Sequence, residues 1–128
     1  MQLKLQPASP IPMYLQIVEQ IRYAIAAGSL SANDELPSVR ALALEHLINP
    51  NTVVRAYLEL EREGLVCKRR GAGTYVAPGA QQMDGEFRLQ AVGEILRKAV
   101  VTASELGVAP GQLRALLEEQ LTQVEQAV

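Results

Sequence analysis

Residues 38–64 read SVRALALEHLINPNTVVRAYLELEREG, and two helices with almost nothing between them are written in that stretch. Ser38 can cap the first, because its hydroxyl accepts from one of the backbone N–H groups that a first helical turn leaves unpaired. Val39, Leu42 and Ala43 then recur at helical spacing, which predicts a short helix of about ten residues through Leu47. Only Ile48-Asn49 intervenes before the next start signal, with Asn49 as cap and Pro50 at the first helical position, where a missing N–H costs nothing. Val53, Ala56, Tyr57 and Leu60 repeat at three and four and Gly64 ends the run, so Asn51, Thr52 and Arg55 face outward. Helices joined this tightly form a helix-turn-helix.

The flanks complete the plan. Upstream, an extended lead with Pro7, Pro10 and Pro12 precedes Met13–Ala27, where Leu15, Val18, Ile21 and Ile25 form a helical stripe stopped by Gly28. Gly28 to Leu36 reads as a loop anchored by Leu30 and Leu36. Downstream, Leu65–Lys68 and Thr74–Ala77 are short and β-favouring with Gly71-Ala72-Gly73 between them, a two-stranded wing. Pro78-Gly79-Ala80 and the polar stretch to Gly85 mark a hinge. Beyond it Phe87, Val92, Leu96, Ala99, Val100, Ala103 and Leu106 line one side of a long helix. Pro110 opens another helix, with Leu113, Leu116, Leu117, Leu121 and Val124 on one face. The expected fold is mainly α with a small β wing: a winged helix-turn-helix over 1–78, then a helical hairpin over 79–128.

Composition narrows the function. The 128 residues suit one domain, or one small domain plus an oligomerisation segment, and 48% hydrophobic with 20% charged residues is a soluble globular balance. No apolar run reaches the ~18 residues of a membrane span, and the start lacks the apolar core of a secretory signal. Cys67 and His46 are single, so neither an internal disulfide nor a zinc cluster can form, and the expected compartment is the reducing cytoplasm. The net charge of −2 conceals a split: residues 1–78 carry eight Lys/Arg against seven Asp/Glu, and 79–128 four against seven. Local potential, not the total, governs binding to a polyanion.

The major groove of B-form DNA admits one α-helix, whose first residues reach the base edges. Here those are Asn49, Pro50, Asn51 and Thr52: Asn can pair bidentately with adenine, Thr can bond a base or touch a thymine methyl, and Arg55 can take guanine or a phosphate. Ser38 and Arg40 at a helix start suit phosphate. Arg69 and Arg70 at the wing could follow the backbone or enter the minor groove, with Gly71 and Gly73 supplying positive φ and close approach.

Taken in order, Pro12-Met-Tyr-Leu-Gln-Ile17, Leu36-Pro-Ser-Val-Arg-Ala-Leu-Ala43, Asn51-Thr-Val53, Ala56-Tyr-Leu-Glu-Leu-Glu61, Glu63-Gly-Leu65 and Gly71-Ala-Gly-Thr-Tyr-Val76 resemble the winged helix-turn-helix of the GntR family of bacterial transcription regulators. The resemblance spans about residues 10–77, and the short helical tail is similar to the YtrA-like subgroup. It implies DNA contacts at Arg40, at Asn49 through Thr52, at Val54-Arg55 and at Arg70-Gly71, and a dimeric repressor of a transporter operon. The chain departs from many relatives in having Asn49-Pro50 for Ser-Arg, and Val54 where Arg is common.

Plainer readings stand beside these. Lys68-Arg69-Arg70 could be a solvated hairpin tip, Arg40 could pair with Glu35 or Glu45, and Asn49 could serve only as a cap. Arg55 could pair with Glu59 four residues on, worth about 0.2–0.5 kcal/mol. The four tyrosines are read as packing residues, His46 as a helix-end residue and Cys67 as a buried strand residue. The tail is too small to wall off a metabolite pocket, which needs about 300 Å³ or more. Its apolar faces call for a second chain through Phe87, Val92, Leu96, Val100, Leu113, Leu117 and Leu121. Such a homodimer would meet an inverted repeat on double-stranded DNA, with half-sites about 34–36 Å apart or a multiple. A winged-helix protein-interaction module is the alternative. No nucleophile with base, carboxylate pair or metal cluster supports an enzyme, and no cofactor is implied.

Overall fold

The computed structural model describes residues 1–80 and 85–127. Among the described residues five helices and one hairpin follow in order: α1 (Met13–Ala27), α2 (Val39–His46), α3 (Pro50–Arg62), β1 (Val66–Arg69), β2 (Gly73–Val76), α4 (Gly85–Glu105) and α5 (Pro110–Gln126). By compactness they fall into two units, Met1–Arg88 and Leu89–Val128. The expected hinge crosses 81–84, which lie outside the described residues. No helix among the described residues is long and apolar enough to cross a membrane.

Within the first unit α1 begins at Pro12, whose carbonyl accepts from the N–H groups of Leu15 and Gln16, and ends at Gly28 with φ 84°. Its buried face is Ile17, Val18, Ile21 and Ile25, while Leu15 is only half-buried. The reason lies in the lead, which is more than an extended approach. Met1, Leu3 and Leu5 alternate inward onto the core, and two glutamines of α1 hold the backbone between them. Gln20 accepts from the Lys4 N–H at 2.8 Å and donates to the Lys4 carbonyl at 2.9 Å. Gln16, itself buried, accepts from the Gln6 N–H at 2.8 Å and donates to the carbonyls of Gln6 and Ile11. A carboxamide carries both halves of a peptide group, so it can stand in for a partner strand.

Ser38 caps α2 as its hydroxyl implies, accepting from the Ala41 N–H at 3.0 Å. The turn into α3 is closed by Leu47, which sits in the left-handed region at φ 54° with its side chain 87% exposed. Ile48 N–H returns to the Ala43 carbonyl at 3.0 Å, so the joint is fixed by backbone. Asn49 then caps α3 by accepting from Asn51 N–H at 2.9 Å, with Pro50 at the first helical position. Val53, Ala56, Tyr57 and Leu60 are buried, as the spacing predicts.

Strands β1 and β2 pair antiparallel with Val66 opposite Val76 and Arg69 opposite Gly73, β1 one residue later and β2 one residue earlier than the pattern implies. The segment expected to be only a loop contributes a third edge. Glu35 bridges to Tyr75, Leu36 N–H donates to Thr74 and Val76 N–H donates to Asp34. An unpaired strand edge is costly when buried, and this loop satisfies one side of β2. The core gathers Leu42, Leu36, Leu65, Val66 and Val76 around the buried faces of α1 and α3.

The second unit is the rest of α4 with α5, joined through Gly107 at φ 72° and a Val108 N–H to Ala103 carbonyl bond of 2.8 Å. Ala103 is its one buried residue among those described. An open groove of about 740 Å³ runs between the helices, lined by Leu96, Val100, Leu113, Leu116 and Leu117 among others. Most of the leucines lining it stay about half exposed, so the groove is open and no wall closes over it.

Candidate nucleic-acid interface

The start of α3 presents what its capping pattern dictates. Asn49, Asn51, Val54 and Arg55 are exposed and Thr52 is half-exposed, so nothing in the first unit covers this flank. The Asn49 carbonyl oxygen is committed to the Asn51 N–H, which leaves its amide NH2 as the outward group. Ser38 is similarly committed through its oxygen to Ala41, with its hydroxyl hydrogen still available. Arg40 is exposed and forms no ion pair among the described residues, with neither Glu35 nor Glu45 as partner.

Arg55 does not pair with Glu59. That carboxylate is bonded to Arg62, through Nε at 3.1 Å and more tightly through Nη2, and the bond holds its pKa below the usual value. Arg55 instead lies with its guanidinium carbon 3.8 Å from the centroid of the Tyr14 ring on α1. The face of an aromatic ring attracts a cation.

The wing arginines divide. Arg69 stacks on Tyr75 at 4.3 Å and donates to the Asn33 side-chain oxygen, and the Tyr75 hydroxyl donates to Glu35 at 3.3 Å. Gly73, directly across from Arg69, offers no side chain, so Arg69 reaches the diagonal residue on the same face. Arg70 has no such tie among the described residues. It sits in the turn closed by Ala72 N–H on the Arg69 carbonyl, where Gly71 takes φ 73° and Gly73 φ 102°. A Cβ at Gly71 would meet nothing within 4 Å, so its requirement is conformational.

The reading of the tyrosines as packing residues holds for Tyr57 and for Tyr14, which is half-buried against the core, and needs correction for Tyr23 and Tyr75. Only Tyr57 is a core residue: it is 4% exposed, its hydroxyl donates to the Pro37 carbonyl at 2.7 Å, and burial pushes its pKa well up. Tyr14 and Tyr75 are half-buried and carry arginines, and Tyr23 is 54% exposed. Asn33, Glu35 and Tyr14 were not legible as site residues, although the Arg69–Tyr75 diagonal follows from strand register. Cys67 is half-buried in β1 with a free thiol, and His46 contacts the Met1 carbonyl at 3.2 Å. No group of His, Cys, Asp and Glu among the described residues could hold a metal ion.

Of the residues expected at a dimer contact, Val92, Leu96, Val100, Leu117 and Leu121 are exposed and Leu113 is half-buried in the second unit. Phe87 belongs to the first unit, where it lies under the Arg22 guanidinium at 4.6 Å.

Residues 13–76 match the family described as bacterial regulatory proteins, gntR family. The chain is 37% identical over 117 residues to the HTH-type transcriptional repressor YtrA of Bacillus subtilis (strain 168), covering 91% of this chain and 90% of that protein. A crystal structure of a transcriptional regulator from Oenococcus oeni is similar at 32% identity and TM-score 0.67, covering 91% of this chain and 97% of that one. AraR(DBD) in complex with operator ORX1 is similar at 26% identity and TM-score 0.54, over 60% of this chain and 99% of that one. The family and these relatives are regulators of transcription and not enzymes. With its wing, its tight turn and its uncovered third helix all within the matched residues, the chain belongs to the GntR family of bacterial transcription regulators.

Proposed function

We propose that the protein is a cytoplasmic repressor that binds an inverted-repeat operator as a homodimer. Residues 1–78 serve as the DNA-binding domain and 79–128 as the dimerisation segment. The observation that carries this reading is the polar, uncovered flank of α3 from Asn49 to Arg55, flanked in sequence by Arg40 and Arg70, neither of which is neutralised by a carboxylate among the described residues. Asn51, Thr52 and Arg55 read bases, with Asn49 adding its free amide NH2. Ser38, Arg40, Arg69 and Arg70 contact phosphate, and Gly71 and Gly73 shape the tip. The AraR(DBD) complex with its operator supports this use of the fold. Similarity to YtrA supports repression, and the YtrA-like resemblance extends the proposal to a transporter operon.

Dimerisation is supported by the half-exposed leucines of α4 and α5, an apolar surface that a lone soluble chain would leave wet. Val92, Leu96, Val100, Leu113, Leu117 and Leu121 form the contact. The test is a duplex selected by the protein from a random-sequence pool. Affinity should fall steeply with salt, by a slope of about −0.9 per phosphate neutralised, and the selected sequences should show dyad symmetry. Exposed Leu44 (72%) and Leu47 favour a second reading, a protein-interaction module. That reading predicts weak salt dependence and no selected sequence.

A further inference from the structure

Arg55 is braced by a residue that its own helix does not supply. Its distance of 3.8 Å to the Tyr14 centroid is the shortest of the three arginine stacks among the described residues, against 4.3 Å for Arg69 and 4.6 Å for Arg22. Stacking occupies the flat face of a guanidinium and leaves its N–H donors, which lie in the plane, pointing outward. Nothing described takes those donors, since the acid one turn along α3 is bonded to Arg62. An exposed arginine otherwise spreads over many rotamers, and fixing one on binding weakens affinity. A ring that holds the side chain before DNA arrives removes that cost and restricts the directions in which the donors point. A lysine could not use the arrangement in the same way, because its ammonium offers no planar fork.

We infer that Tyr14 is a positioning residue for Arg55 and tunes the base preference of α3 through that arginine, without a DNA contact of its own. The inference rests on the proposed contact between Arg55 and DNA. Tyr14 stands at the start of α1 and Arg55 in the second turn of α3, so the two helices must pack for the pair to form. Base preference would then depend on a residue outside the helix-turn-helix.

The test uses the full chain as wild type, Tyr14→Phe, Tyr14→Leu, Arg55→Ala and the Tyr14→Leu/Arg55→Ala double variant. Each is titrated against the duplex selected by the wild type and against an unrelated duplex of equal length. Tyr14→Phe should match wild type, because the ring is retained. Tyr14→Leu should bind the selected duplex about 2- to 5-fold more weakly, the scale of an exposed cation–ring contact, and should discriminate less against the unrelated one. In the Arg55→Ala background Tyr14→Leu should change nothing further. NMR of the DNA-free protein should show the Arg55 δ protons shifted upfield by ring current in wild type and Tyr14→Phe, and not in Tyr14→Leu.

Wild-type binding by Tyr14→Leu would overturn the inference. So would an equal loss in the Arg55→Ala background, which marks a general structural role, or a loss in Tyr14→Phe as large as in Tyr14→Leu. In each case a weakened Arg55→Ala leaves the proposed contact standing. Unaltered binding by Arg55→Ala would remove the contact and the inference together.

Discussion

Replacing Tyr57 by Phe deletes one oxygen at the junction of the two recognition-motif helices. The hydroxyl donates at 2.7 Å to the carbonyl of Pro37, the residue just before the Ser38 cap of α2, from a side chain in the core of α3. An ordinary hydrogen bond contributes about 1 kcal/mol net, and leaving its acceptor unpaired raises the cost toward 3 kcal/mol. Pro37 is half-buried, so water reaches its carbonyl in part and the loss should be about 1–2 kcal/mol. At about 4–8 °C per kcal/mol for a domain of this size, the melting temperature should fall by roughly 4–16 °C.

A second signature separates this bond from loose packing. Burial raises the Tyr57 pKa above its ordinary 10.0, so the phenolate is favoured in the unfolded chain. The stabilisation is complete below pH 10 and declines as pH climbs from there toward the folded pKa, by up to about 1.4 kcal/mol per pH unit. Urea midpoints measured at pH 7, 9, 10 and 11 should show Tyr57→Phe weaker at pH 7 and less sensitive above pH 10, so the two curves converge. Parallel curves, or equal midpoints at pH 7, would refute the reasoning.

Arg55→Ala should cost about 1–3 kcal/mol on the selected duplex and relax base preference, whereas Arg40→Ala should weaken all duplexes alike and flatten the salt slope by about one; gel-shift titrations at several salt concentrations decide both, and an unchanged slope removes Arg40 from the phosphate set. Arg69→Ala loses its Asn33 bond and its Tyr75 stack, so it should lower the urea midpoint by an amount worth about 0.5–1 kcal/mol, while Arg70→Ala should not. Identical midpoints for the two would show that Arg69 braces nothing. Leu117→Glu places a charge on the half-exposed face of α5 and should yield a monomer by sedimentation, with operator affinity lost as the linkage of two half-sites is lost. A dimer that survives both this change and Leu96→Glu would disprove the tail contact.

The helices were legible because their signals are local. Ser38, Asn49, Pro50, Gly28 and Gly64 mark ends by capping or positive φ, and each acts within a few residues of itself. The face of α3 followed from the spacing of Val53, Ala56, Tyr57 and Leu60. Contacts between elements were not legible in the same way. Glu35 joins β2 and Tyr14 meets Arg55 only because the chain returns to those places, and neither tyrosine at 14 or 75 has a neighbour pattern that distinguishes a ring carrying a cation from one filling a core. The lead was read from its prolines as an approach, since the partners of Lys4 and Gln6 are side chains ten or more residues away. The pair open to Arg55 and Glu59 does not form, because Arg62, three positions from that acid, takes its carboxylate.

The wing is stiff at one end and compliant at the other. Its stem is stitched on both margins of β2, by β1 and by the segment ending at Leu36, whereas around Arg70 the ladder has ended and a left-handed glycine stands in open space. Narrow and wide stretches of a duplex set their phosphates at different separations. Under the proposed contacts, an arginine on that tip would follow this variation while the stem keeps α3 seated, which would place tolerance for the shape of the flanking duplex and strictness about the bases in separate parts of one small domain.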